Sequence, residues 1–286
     1  MYPAAFEYHA PASVTDALKL LGELDDAKIL AGGHSLIPMM KLRLAQPKHL
    51  IDLRKVPGLT GIKEDKGMIS IGAMTTHWEV ESSKVLKDKC PVVAETGAMI
   101  GDPAVRNKGT IGGSLAHGDP AADMPATVIA LGAEMVCQGK NKRTVKVDDW
   151  FKGLMETALG EDELLVEIRV PALAKGTGAA YLKFPHPASR FAVVGVAAVV
   201  TIENGTCTKA GVGVTGAGTH AVRAKGVEAA LTGKRLDAAA IEAAAAKAAD
   251  GVDVQADLQG SVEYKAHLCR VFAKRAIEAA VKRAQS

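Results

Sequence analysis

Arg106-Asn107-Lys108-Gly109-Thr110-Ile111-Gly112-Gly113-Ser114-Leu115-Ala116-His117-Gly118-Asp119-Pro120-Ala121-Ala122-Asp123 is the stretch whose reading decides the fold. Gly109, Gly112 and Gly113 carry no Cβ, so a ligand can come close to their N–H groups and positive φ is allowed. Such a turn is an anion cradle. Asp123 then precedes the apolar run Met124-Pro125-Ala126-Thr127-Val128-Ile129, where an Asp N-cap with Pro just inside predicts a helix start. A glycine turn, a helix N-terminus and a nearby carboxylate together suit a nucleotide diphosphate and its ribose.

Upstream, Ser13 and Asp16 predict the start of a helix carrying Ala17, Leu18, Leu20 and Leu21. A strand over Lys28-Ile29-Leu30 runs into a second glycine turn, Ala31-Gly32-Gly33-His34-Ser35-Leu36, and Leu50-Ile51-Asp52-Leu53 supplies another strand. The loop thus leaves a strand's carboxyl end, where open α/β sheets bind ligands. Residues 59–73 predict a hairpin turning at Glu64-Asp65-Lys66-Gly67, and residues 76–100 a helical span interrupted before Pro91. Downstream come a helix to about Leu131, a strand pair around Gly139, a strand closed by Pro171 and a linker between Ala172 and Gly178.

The remainder predicts strands over residues 179–184, 191–202 and 206–214, with Asn204-Gly205 as hairpin turn. Two Ala-rich helices close the chain, one capped by Asp237 and one starting near Ser261. Strand groups followed by helices make the fold class α+β.

With 286 residues and 48% hydrophobic content, the chain can bury its own core. A net charge of +3 gives no broad electrostatic footprint for nucleic acid, so none is expected as a partner. Cys90, Cys137, Cys207 and Cys269 have neither metal-ligand nor disulfide spacing and suit buried thiols in a reducing compartment. The start has no leader pattern and no apolar run reaches a membrane span, so the expected location is the cytoplasm, with no membrane insertion.

Three further constellations compete with the glycine turns. His117, Asp119 and Asp123 offer metal-ligand atoms within seven residues, yet no second His or Cys completes a shell, and no metal is expected. Gly211-Val212-Gly213-Val214-Thr215-Gly216 matches the nicotinamide fingerprint literally but lacks the second strand and acidic residue, so it reads as strand-end packing. The cations of the last helix read as a solvated face. His49 and His77 read as structural or surface residues, and no acid–base catalyst is assigned.

Several segments together resemble the FAD-binding medium subunits of the molybdenum hydroxylases, the family of carbon monoxide dehydrogenase and xanthine dehydrogenase. They are Phe6-Glu7-Tyr8-His9-Ala10-Pro11, Ala31-Gly32-Gly33-His34-Ser35-Leu36-Ile37-Pro38, Leu50-Ile51-Asp52-Leu53, residues 105–114, Asp123-Met124-Pro125-Ala126 and Glu163-Leu164-Leu165. The resemblance implies a two-lobed, PCMH-type FAD-binding domain over residues 1–174, with lobes near 1–55 and 56–174, and a smaller α+β domain over 175–286 of the carbon monoxide dehydrogenase flavoprotein type. It implies FAD, bound without a covalent link, with Ile29, Leu30, Ala31, Gly32, Gly33, His34, Ser35 and Leu36 and the segment Thr110, Ile111, Gly112, Gly113 and Ser114 around the diphosphate. Ile100 matches a position packed on the flavin and Asp123 one at the nucleotide portion. Leu164 and Lys183 match positions near the isoalloxazine, and Phe191 an aromatic beside it. Lys183 could there stabilise negative charge at N1 or O2 of the reduced ring. Ser114 stands where many relatives have Asn.

By the same resemblance the chain relays electrons. FAD takes them from two [2Fe–2S] clusters on a small partner subunit and passes them to an external acceptor, while substrate chemistry belongs to the molybdopterin cofactor on a large subunit. The implied assembly is a dimer of heterotrimers. Two other readings stay open on the residues alone: a free-standing flavin or nicotinamide oxidoreductase, and a non-catalytic nucleotide-binding scaffold.

Overall fold

Ser13 accepts a hydrogen bond from the Asp16 amide and so starts the first helix where the sequence predicts it. In the computed structural model, which describes residues 1–286, that helix, α1 (Val14–Glu23), follows a short strand, β1 (Glu7–His9). β2 (Ala27–Leu30), α2 (Leu36–Lys41) and β3 (His49–Asp52) complete the first lobe. Its three strands pair in parallel in the order β1-β3-β2. The carboxyl ends therefore share one edge, and the first glycine loop leaves from it. Ala17, Ile51, Leu53 and Leu59 pack together in this lobe, joined by Leu164 from far along the chain.

The predicted hairpin forms as β4 (Ile62–Asp65) and β5 (Met68–Gly72). Six helices follow: α3 (His77–Ser82), α4 (Lys84–Lys89), α5 (Pro91–Met99), α6 (Pro103–Arg106), α7 (Ile111–His117) and α8 (Met124–Leu131). Then come β6 (Glu134–Gln138), β7 (Lys142–Lys146), the small pair β8 (Phe151–Gly153) and β9 (Glu156–Thr157), and β10 (Leu164–Pro171). β10 returns to the middle of a five-stranded antiparallel sheet ordered β4-β5-β10-β6-β7. Trp150 lies fully buried in this core, with its indole N–H donating to the Leu115 carbonyl at 2.9 Å.

β11 (Thr177–Pro185), β12 (Ala192–Glu203), β13 (Thr206–Thr215) and β14 (Val222–Arg223) make an antiparallel sheet in sequence order. Asn204 and Gly205 both have positive φ, as a tight hairpin with right-handed twist requires. α9 (Lys225–Leu231), α10 (Ala238–Ala245) and α11 (Val262–Ala284) follow, with α11 lying along β11 and β12. α8 covers the other face of this sheet. A Cβ at Gly211 would sit 2.1 Å from the Ala130 carbonyl oxygen, and one at Gly213 would sit 2.2 Å from that of Ala126. The literal nicotinamide fingerprint is therefore a helix-packing surface, as its reading as packing glycines expects. The sequence reading passed over β1, β14 and α9, and the glycine turn at 110–114 proves to be the start of α7.

Candidate functional site

The two glycine segments, some eighty residues apart in sequence, touch backbone to backbone. A Cβ added at Gly32 would lie 2.3 Å from the Lys108 carbonyl oxygen and 2.6 Å from the Gly109 Cα. One at Gly113 would lie 3.3 Å from the Ala31 Cβ. Positive φ is not why the second segment is glycine-rich: Gly33 has φ +78°, but Gly109, Gly112 and Gly113 are not left-handed. Proximity is the reason, since a Cβ at Gly112 would meet the Ala73 Cβ at 2.4 Å.

The segments also differ in what they can offer an anion. Thr110 caps α7 by accepting from the Gly113 amide, and the amides of Ile111, Gly112 and Ser114 donate to the carbonyls of Thr75, Ala73 and Thr110. Four of the five N–H groups of this segment thus already have acceptors, and only that of Thr110 donates to no group of the chain. In the first loop, by contrast, the N–H groups of Gly32, Gly33, His34 and Ser35 donate to no group of the chain. The free donors therefore lie mostly in the first loop, with the Thr110 N–H added by the second segment, which closes against it.

His77 packs against Gly109, and its backbone N–H donates to the Gly109 carbonyl at 2.9 Å. Its Nδ1 is buried without a hydrogen-bond partner. Burial foremost, and the charges of His34 and Arg106 after it, push the imidazole down to about 4, so it is neutral at pH 7. Four free amides, a left-handed glycine, surfaces that exclude Cβ atoms and an orphaned imidazole nitrogen fit a diphosphate-bearing cofactor.

A second cluster gathers around Lys183. Its ammonium donates to Asp123 Oδ2 at 2.8 Å, to the Met99 carbonyl at 2.9 Å and to the Arg190 carbonyl at 2.5 Å. An ammonium has three donors, so all are committed. Lys183 thereby ties the end of α5, the start of α8 and the loop before β12 to β11. Asp123 departs from the expected capping role. It stands at the N-cap of α8 but makes no capping bond, because its other oxygen accepts from the Tyr181 hydroxyl. Burial raises the Asp123 carboxyl above its ordinary range, against the pull of Lys183, and raises Tyr181 far above that of a phenol. Tyr181 went unnoticed in the sequence, though it lies two residues from Lys183 and so on the same strand face.

Ile100 is half-buried beside this cluster, and Arg106, which also pairs with Glu81 at 2.7 Å, donates to the Ile100 carbonyl at 3.1 Å. Residues 100–110 thereby link the two clusters. Phe191 is exposed and follows Arg190, whose φ is +62°. Leu164, expected near the isoalloxazine, is 2% exposed and packed with the core of the first lobe. A cavity of about 840 Å³ lies elsewhere, between α1 and the Gly139 turn, and holds no residue of either cluster. His117, Asp119 and Asp123 do not converge, since Asp119 accepts from the Ala121 amide and Asp123 is held by Lys183 and Tyr181. All four cysteines are buried and unpaired, and burial pushes Cys90 and Cys269 up to about 12. No helix is long and apolar enough to cross a membrane.

Fold and site define a class: a two-lobed α+β protein whose lobes bring two glycine segments together around an anion cradle. Comparisons with known proteins sharpen this. The family model described as the FAD binding domain in molybdopterin dehydrogenase matches residues 4–173, and that of the CO dehydrogenase flavoprotein C-terminal domain matches 179–280. The carbon monoxide dehydrogenase medium chain of Hydrogenophaga pseudoflava is 45% identical over 98% of both chains. That of Afipia carboxidovorans is 41% identical over 100% of both. The solved carbon monoxide dehydrogenase of Hydrogenophaga pseudoflava superposes with a TM-score of 0.97 at 47% identity, over 99% of each chain. The chain belongs to the family of FAD-binding medium subunits of molybdopterin dehydrogenases.

Proposed function

We propose that this chain is the FAD-carrying electron-transfer subunit of a molybdenum-containing dehydrogenase. FAD is held noncovalently by Ile29 to Leu36 and by Thr110 to Ser114. The bound flavin supplies the ability to take up electrons singly or in pairs and pass them on. The chain's own residues do the rest: the first loop's amides neutralise the diphosphate, Gly32 and Gly113 let the two segments close, and His77 stays uncharged beneath them. Ile100 and Phe191 flank the ring, with the Lys183–Asp123 pair fixing the segments that carry them. Leu164 supports the first loop from behind.

In this reading residues 1–174 form the FAD-binding domain, with lobes near 1–55 and 56–174, and 175–286 the C-terminal domain. Electrons arrive from the [2Fe–2S] clusters of a small subunit, substrate is oxidised at the molybdopterin cofactor of a large subunit, and an external acceptor takes the electrons from FAD. The assembly is a dimer of heterotrimers in the cytoplasm, where four unpaired buried thiols are at home. The observation that carries the reading is the meeting of Gly32 with Lys108 and Gly109, which leaves four unpartnered amides facing no group of the chain.

The test is the absorption spectrum of the chain and of the complex that copurifies with it, followed by heat release and identification of the nucleotide. Flavin bands, released FAD and added iron–sulfur absorbance are expected. A copurified complex lacking flavin even after FAD is added would return the cradle to the scaffold reading, and substrate turnover by the isolated chain would favour a free-standing oxidoreductase.

A further inference from the structure

At the opposite end of the first-lobe sheet from the glycine loop, three side chains converge that the FAD site does not use. Glu7 and His9 alternate on one face of β1, and parallel pairing sets Glu7 directly beside His49 of β3. His9 Nε2 lies 3.2 Å from His49 Nδ1, and Glu7 Oε2 lies 3.4 Å from His49 Nδ1 and 4.0 Å from His9 Nε2. The imidazoles are partly buried, at 23% and 18% exposure, while Glu7 is open to solvent. Two imidazoles and a carboxylate are a recurrent ligand set for zinc with one position left to water. Bonds of about 2.0–2.1 Å in a tetrahedral shell set ligand atoms about 3.3–3.4 Å apart. Two of the three edges already match, and the third closes by a rotation of the exposed Glu7 side chain.

We infer that Glu7, His9 and His49 form a binding site for a divalent transition-metal ion of the Zn²⁺ class, coordinated by His9 Nε2, His49 Nδ1 and a Glu7 carboxylate oxygen. Without metal, the two imidazoles share a single hydrogen bond. With it, the ion staples β1 to β3. That staple matters locally because β1 is three residues long and lies at the sheet edge. The site takes part in no electron transfer, and its existence does not depend on the FAD reading.

The test is equilibrium dialysis of the full, chelator-stripped chain against Zn²⁺, with bound metal measured by mass spectrometry. One ion per chain is expected, with His9→Gln and His49→Gln each weakening it by at least about a hundredfold and the exposed-helix control His267→Asn retaining it. Because a variant can misfold, Co²⁺ provides a second readout on the unaltered chain. An intense visible d–d spectrum without a thiolate charge-transfer band supports the site. Failure of the chain to take up Zn²⁺, full retention of the ion by both histidine variants, or a thiolate band would each overturn the inference.

Discussion

Lys183 Nζ lies 2.8 Å from Asp123 Oδ2, and each side chain is only 4% exposed. Removing one member of such a pair leaves the other charge buried without compensation, which typically destabilises by about 3–5 kcal/mol. Lys183→Met is therefore expected to lower the urea midpoint strongly, and Lys183→Met combined with Asp123→Leu to recover part of the loss, because no ion then stays buried. Equal destabilisation of the single and double variants would show that Lys183 acts through its contacts with Met99 and Arg190 instead.

Gly32→Ala is the sharpest probe of the cradle. Its Cβ would press 2.3 Å from a backbone carbonyl oxygen, which no rotamer change relieves. The two segments must part, at a stability loss of about 1–3 kcal/mol, and FAD retention is expected to fall at least tenfold. Gly22→Ala is the control: nothing lies within 4 Å of its Cβ, and within α1 it is expected to stabilise by about 0.5–1 kcal/mol with FAD binding unchanged. FAD titration by fluorescence quenching reads both.

What the sequence made legible was governed by neighbours along the chain. Ser13 capping Asp16, the turn at Asn204 and Gly205, and the strand leading into the first glycine segment follow from local sterics and hydrogen bonding. The resemblance named Asp123 and Lys183 separately but not as partners, because their pairing spans sixty residues and depends on how α8 meets β11. The same is true of His9 and His49, forty residues apart and joined only by strand register. The second segment looked like a donor loop because glycine permits one. Two of its amides, those of Gly112 and Ile111, are claimed by carbonyls of Ala73 and Thr75 that only the folded chain brings near.

The second glycine pattern separates packing from binding. Gly211→Ala and Gly213→Ala drive a methyl group to within 2.1 and 2.2 Å of the Ala130 and Ala126 carbonyl oxygens, so each is expected to destabilise by about 1–3 kcal/mol by pushing α8 off the sheet. Neither NAD nor NADP is expected to bind there. Thermal unfolding and a nicotinamide titration decide the matter together: saturable nicotinamide binding lost in these variants would restore the fingerprint as a site.

His77 should make the chain acid-sensitive in a defined window. Its imidazole titrates near 6.5 when unfolded and is pushed down to about 4 in the fold, chiefly by burial. The unfolded chain therefore binds the proton more readily between those values, and stability falls as pH drops from 6.5 toward 4. Above 6.5 both states are neutral and the effect vanishes; below about 4 both are protonated and no further loss accrues from this residue. The whole window amounts to about 3 kcal/mol. His77→Leu cannot take up the proton, so its stability should change less across this window than that of the natural chain. Urea unfolding at pH 7, 5.5 and 4.5 for both proteins provides the comparison, and parallel pH curves would mean that His77 gains a partner or water access on acidification.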